Sequence, residues 1–109
     1  FYLDRADELG LSADQVRKLK TLHMECRNDN IRNTAEAKIA RLDLADLLDG
    51  DNWSLKDAES LIRKVQKLEG DIQVRHLQAV SDARQVLTAE QLKQAHADDS
   101  AGNLESLFQ

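Results

Sequence analysis

The chain has 109 residues, a net charge of −5, no proline, four glycines, 4% aromatic residues and 32% charged residues. That length fits one domain, and so few strand formers argue against a sheet protein. Basic and acidic residues are interleaved with no concentrated basic stripe, which argues against a nucleic-acid partner, and no apolar run reaches the length of a membrane span.

Tyr2, Leu3, Ala6 and Leu9 have helical spacing, and Gly10 can close that short helix. Leu11-Ser12-Ala13-Asp14-Gln15-Val16 then reads as a helix-start device. Ser12 is an N-cap, Gln15 completes a capping box, and Leu11 and Val16 sit where a hydrophobic staple forms. The spacing predicts a long helix from there to about Asp49, with Val16, Leu19, Leu22, Ile31, Ala37, Ala40, Leu44, Leu47 and Leu48 as its apolar positions. Gly50 is the stop signal, and Gly50-Asp51-Asn52 makes a turn. Ser54 caps a second long helix over about 55–86, with Asp57 placed to answer at N3 and Trp53 to staple on Ala58. Its stripe is Ala58, Leu61, Val65, Leu68, Ile72, Ala79, Ala83 and Val86, widened by Ile62, Leu77 and Val80. Gly70 inside it permits close helix contact or a bend.

Leu87-Thr88-Ala89-Glu90-Gln91-Leu92 repeats the first device. Thr88 caps, Gln91 closes the box, and Leu87 and Leu92 form the staple pair. A short helix follows to about Ala97. The expected fold is all-α: a long antiparallel helical hairpin with a short helix at each end, dimerising into a curved cradle. Each rod is roughly 50 Å long, and the terminal pieces meet opposite the Gly50 turn. So few large side chains leave a thin core, which calls for a dimer. Residues 1–97 form the domain and 98–109 a disordered tail. Leu104-Glu105-Ser106-Leu107-Phe108-Gln109 resembles the remnant of a 3C-type protease site, with Ser106 where Val is common, and is set aside from functional reasoning. The start at Phe1, without an initiator Met, reads as that of an excised or mature fragment.

The sharpest chemical candidates are His23 and Cys26, which share a helix face at i, i+3. Thiolate and imidazole suit a divalent transition metal such as zinc, nickel or copper. If the chain turns near residues 51–52, Cys26 falls within one position of His76, so the three can converge. Cys26 also fits as an inert core residue or, in an oxidising compartment, as a disulfide partner. His96 reads as a surface residue. Asn28, Asn30 and Asn33, with Asp29 among them, form a polar patch that either fixes an interface register or is solvated. No phosphate loop, HExxH or CxxC is present, so no enzyme is expected.

LSADQV and LTAEQL, flanking so long a hairpin, resemble the paired LTxxQ motifs of the Spy/CpxP superfamily. The likeness covers roughly residues 1–97. It implies a bacterial envelope protein, periplasmic or membrane-tethered, that dimerises into a cradle. Members include ATP-independent chaperones, inhibitors of stress signalling, and heavy-metal sensors or zinc-resistance proteins. The implied partners are non-native proteins or an envelope sensor protein. The chain departs from Spy-type chaperones in being acidic, and from zinc-resistance members in having one Met and three His.

Overall fold

The computed structural model describes residues 2–98. Phe1 and residues 99–109, and with them the protease-type remnant and most of the expected tail, lie outside the described residues. A 3-10 turn at Leu3–Arg5 leads into α1 (Ala6–Leu9), α2 (Ala13–Asp49), α3 (Leu55–Val86) and α4 (Ala89–Asp98). Among the described residues there is no strand. The molecule is extended, 62 × 27 × 17 Å along its principal axes.

Local chemistry sets each boundary. The expected helix over 2–9 is split into the 3-10 turn and one α turn. Gly10 closes it in the left-handed region at φ 67°, with its N–H donating to Asp7 O at 3.3 Å and the Leu11 N–H to Ala6 O at 3.0 Å. Those two bonds are a Schellman closure, which favours glycine because a Cβ is strained at that φ. α2 then opens on the complete Ser12–Gln15 capping box. It ends at Gly50 as expected, but by a different route: Gly50 is extended at φ −80°, ψ 159°, so its left-handed freedom is not used. Ser54 starts α3, its Oγ accepting from the Asp57 N–H at 3.4 Å. A Cβ built on Gly70 meets nothing within 4 Å, so close helix contact is not the reason for that glycine.

α2 packs along α3 with chain numbers running in opposite senses. Gln15 meets Val86, Asp29 meets Arg75, and Arg41 meets Glu69. The apolar cluster lies at one end only, where Leu9, Leu19, Ala83, Leu87 and Ala95 are buried and Tyr2, Leu3, Leu11, Leu22, Val86 and Leu92 pack around them. Among the described residues Leu19 is the largest side chain that is completely enclosed. Further along the rod the buried positions are mostly small: Cys26, Ala37, Ala40, Ala58 and Ala79, with Leu68. Small residues let two helices approach closely, but each contributes little burial.

The structure corrects part of both expected stripes. Ile31, Leu48, Ile62 and Leu77 are exposed. Ile31 is five residues after Cys26, a turn of about 140° at about 100° per residue, which carries it away from the α3-facing side.

Candidate functional site

The two repeated motifs are one structure. Gln15 accepts from the Ser12 N–H at 2.8 Å and Gln91 accepts from the Thr88 N–H at 2.9 Å. In return the Ser12 and Thr88 hydroxyl oxygens accept from the Gln15 and Gln91 N–H groups, at 3.1 and 3.2 Å. The two glutamine amides also bond each other. Gln15 Nε2 donates to Gln91 Oε1 at 2.7 Å, and Gln91 Nε2 donates to Gln15 Oε1 at 3.2 Å.

The remaining amide protons go to backbone just before each motif. Gln15 Nε2 donates to Val86 O at 3.0 Å, and Gln91 Nε2 donates to Gly10 O at 3.2 Å and Leu9 O at 3.4 Å. Each glutamine thus uses both acceptor sites and both donor hydrogens. A glutamine that caps its own helix also ties down the entry to the other motif. Two outer bonds reinforce the clasp, Arg5 Nη1 to Ala95 O at 3.4 Å and Gln94 Nε2 to Glu8 O at 3.1 Å.

The residues proposed as metal ligands occupy different environments. Cys26 is buried; its Sγ lies 4.0 Å from Arg75 O, to which the thiol donates, and accepts from Asn30 Nδ2 at 3.6 Å. His23 is exposed on α2, and His76 is half-buried on α3, next to the Arg75 carbonyl that meets Cys26. Among the described residues no three His, Cys, Asp or Glu side chains gather in a way that would hold a metal ion. Asn30 Oδ1 is buried without a hydrogen-bond partner, while Asn28 and His96 are exposed.

Midway along the rod an open groove of about 390 Å³ lies between α2 and α3, lined in part by Asp29, Arg32, Glu36, Asp71 and Arg75. Arg75 Nε donates to Asp29 Oδ2 at 2.8 Å. That bond raises the guanidinium pKa further above its ordinary range, against the opposing effect of burial. Arg75 therefore stays charged at any working pH and serves as a cross-helix tie. The sequence places Asp29 in the polar patch with Asn28, Asn30 and Asn33 but does not mark Arg75 as its partner, although the two face each other within one position of the register expected from the turn.

The surface is the other notable feature. Ten large apolar residues among the described ones are at least 40% exposed, including Ile31, Ile39, Leu42, Leu55, Val74 and Leu77. Among the described residues no helix is long and apolar enough to cross a membrane. Comparison with known proteins finds no matching family model, no similar curated protein and no similar solved structure.

Proposed function

We propose that this chain is a Spy/CpxP-like protein of the bacterial periplasm, a helical hairpin that dimerises into a curved cradle and acts as an ATP-independent chaperone or binding module in envelope stress. The observation that carries this reading is the placement of apolar side chains. Small residues fill the seam between the long helices, while Leu55, Ile62, Val74 and Leu77 face solvent. Scattered apolar groups amid charges of both signs suit weak contacts with many non-native chains, each supplying its own apolar segments. The interlocked motifs support the same reading by holding the open end of the rods together without occupying the exposed surface.

The runner-up is a heavy-metal sensor or resistance protein holding zinc, nickel or copper through His23, Cys26 and His76. It has less behind it, because the Cys26 thiol is engaged by Asn30 and the Arg75 carbonyl inside the helix pair. Calorimetric titration of native protein and Cys26→Ser separates the two readings. Tight binding by the native chain that is lost in the variant favours the sensor. For the chaperone reading, light scattering of an aggregating client is followed with the protein at substoichiometric and equimolar ratios. Suppression that grows with ratio is the expected result. Unchanged aggregation at both ratios overturns it.

A further inference from the structure

The two long helices place their apolar residues differently. Those of α3 gather toward one side, whereas those of α2 divide between opposite sides and leave it weakly amphipathic overall. One side of α2, with Leu19, Cys26, Ala37 and Ala40, is buried. The other carries Met24, Ile31 and Leu42, which are 48%, 60% and 56% exposed. This outer side has a regular order. Met24, Asn28, Ile31, Ala35, Lys38 and Leu42 follow one another in alternating steps of four and three residues, and all six are exposed. That is the seam of a coiled coil with nothing packed on it.

We infer that a second copy of this chain docks on the outer face of α2, antiparallel, about a two-fold axis passing near Asn33. This rests on the dimer proposed above and assigns its face and its direction. The seam is complementary to itself when reversed. Met24 meets the partner's Leu42, and Ile31 meets the small Ala35 of the partner subunit. The two polar positions coincide, so the Asn28 amide oxygen accepts from the partner's Lys38. A parallel pairing instead sets Lys38 against its own copy, ammonium on ammonium. Beside the reversed seam, Lys18 comes near the partner's Asp46 at both ends. The like charges that also approach are partly neutralised within each protomer, Arg32 by Asp29 at 3.6 Å and Arg41 by Glu69. A surface meant only for varied clients has no reason to match its own reverse.

The test combines mass and cross-linking. Sedimentation equilibrium of the native chain is expected to give twice the chain mass. Ile31→Asp puts a carboxylate beside the axis and is expected to return a single chain mass with unchanged helical circular dichroism. In a Cys26→Ser background, Met24→Cys and Leu42→Cys proteins are mixed and mildly oxidised. A disulfide is expected to join one variant to the other, with neither variant cross-linking alone, because a disulfide needs Cα atoms roughly 4.4–6.8 Å apart. Self-cross-linking of Met24→Cys overturns the antiparallel direction. A dimer that persists in Ile31→Asp overturns this face and leaves the proposed dimer standing elsewhere. A native chain that stays monomeric at all concentrations overturns both.

Discussion

The two ends of the rod are built on opposite principles. At the motif end, four chain segments converge on Leu19 and Leu87, and two glutamines saturate each other and the adjoining backbone. At the turn end, α2 stops on an extended Gly50, and α3 starts on one long cap bond that Ser54 Oγ accepts from the Asp57 N–H. Trp53 is 44% exposed there and Leu55 73%. The same kind of residue, a hydroxyl N-cap with an apolar neighbour, is a clasp in one place and a simple start in the other. What separates them is tertiary company: Ser12 and Thr88 begin helices whose capping glutamines bond each other, and Ser54 begins a helix with no second motif opposite it. Stability should therefore be graded along the rod, high at the clasp and low at the turn.

Substitutions at the two ends test that gradient, the largest expected effect being in the apolar cluster. Leu19→Ala should lower unfolding free energy by about 3 kcal/mol, since it opens a cavity beside residues that cannot all collapse into it. Leu55→Ala at the turn should stay within about 0.5 kcal/mol. Urea unfolding of both variants reads the difference, and equal losses would remove the contrast between the ends.

Gln91→Ala comes next, at about 2–3 kcal/mol. It removes one of the two bonds at each atom of the part-buried Gln15 amide and the side-chain partner of the Thr88 N–H, and a buried polar group that loses its partner costs about 1–3 kcal/mol. Adding Gln15→Ala should cost less than a separate loss, because the two side chains act as a pair. Strictly additive losses would show that the amides do not depend on each other.

The caps should differ by a smaller margin. Thr88→Ala should cost about 1 kcal/mol and Ser54→Ala, whose cap bond is longer, about 0.5 kcal/mol, by thermal melting. Gly70→Ala, in the open middle of α3, should stabilise the chain by about 0.5–1 kcal/mol, since its Cβ meets no neighbour and helix propensity improves.

The smallest effect is electrostatic. Asp14, in the first turn of α2, has its pKa lowered chiefly by the hydrogen bond from Lys18 and by that residue's charge. A depressed folded pKa contributes stability above the unfolded value and loses it as pH falls through the folded one. The contribution is thus present at neutral pH and disappears only on the acid side of the ordinary aspartate range. Carboxyl titration by NMR should place Asp14 below its ordinary value, and Lys18→Ala should move it back up.

Local features of this fold were legible in the sequence, and pairings between distant residues were not. The caps at Ser12, Ser54 and Thr88 and the stops at Gly10 and Gly50 follow from residues within one helical turn, so they can be read from short windows. The bond between Gln15 and Gln91 spans 76 positions and leaves no local trace. Its one signal was the repetition of the motif itself, which marked each glutamine as a cap and said nothing of their meeting. Periodicity counts Ile31 among the apolar positions of α2, but α2 carries apolar residues on two sides, and periodicity alone does not tell which side faces α3. Cys26 and His76 were brought together by counting from the turn. Counting fixes register along the rod, but the Arg75 carbonyl and Asn30 are what occupy the space around the thiol.

Native-state hydrogen exchange tests the clasp most directly, because it reads opening energies along each helix separately. Amides of α2 at 18–26 and of α3 at 79–86, beside the glutamine pair, should exchange slowest. Those at 42–49 and 58–64, flanking the turn, should exchange fastest among the long-helix interiors. Equal protection along both rods, or slower exchange at the turn, would contradict a molecule held together at its motif end.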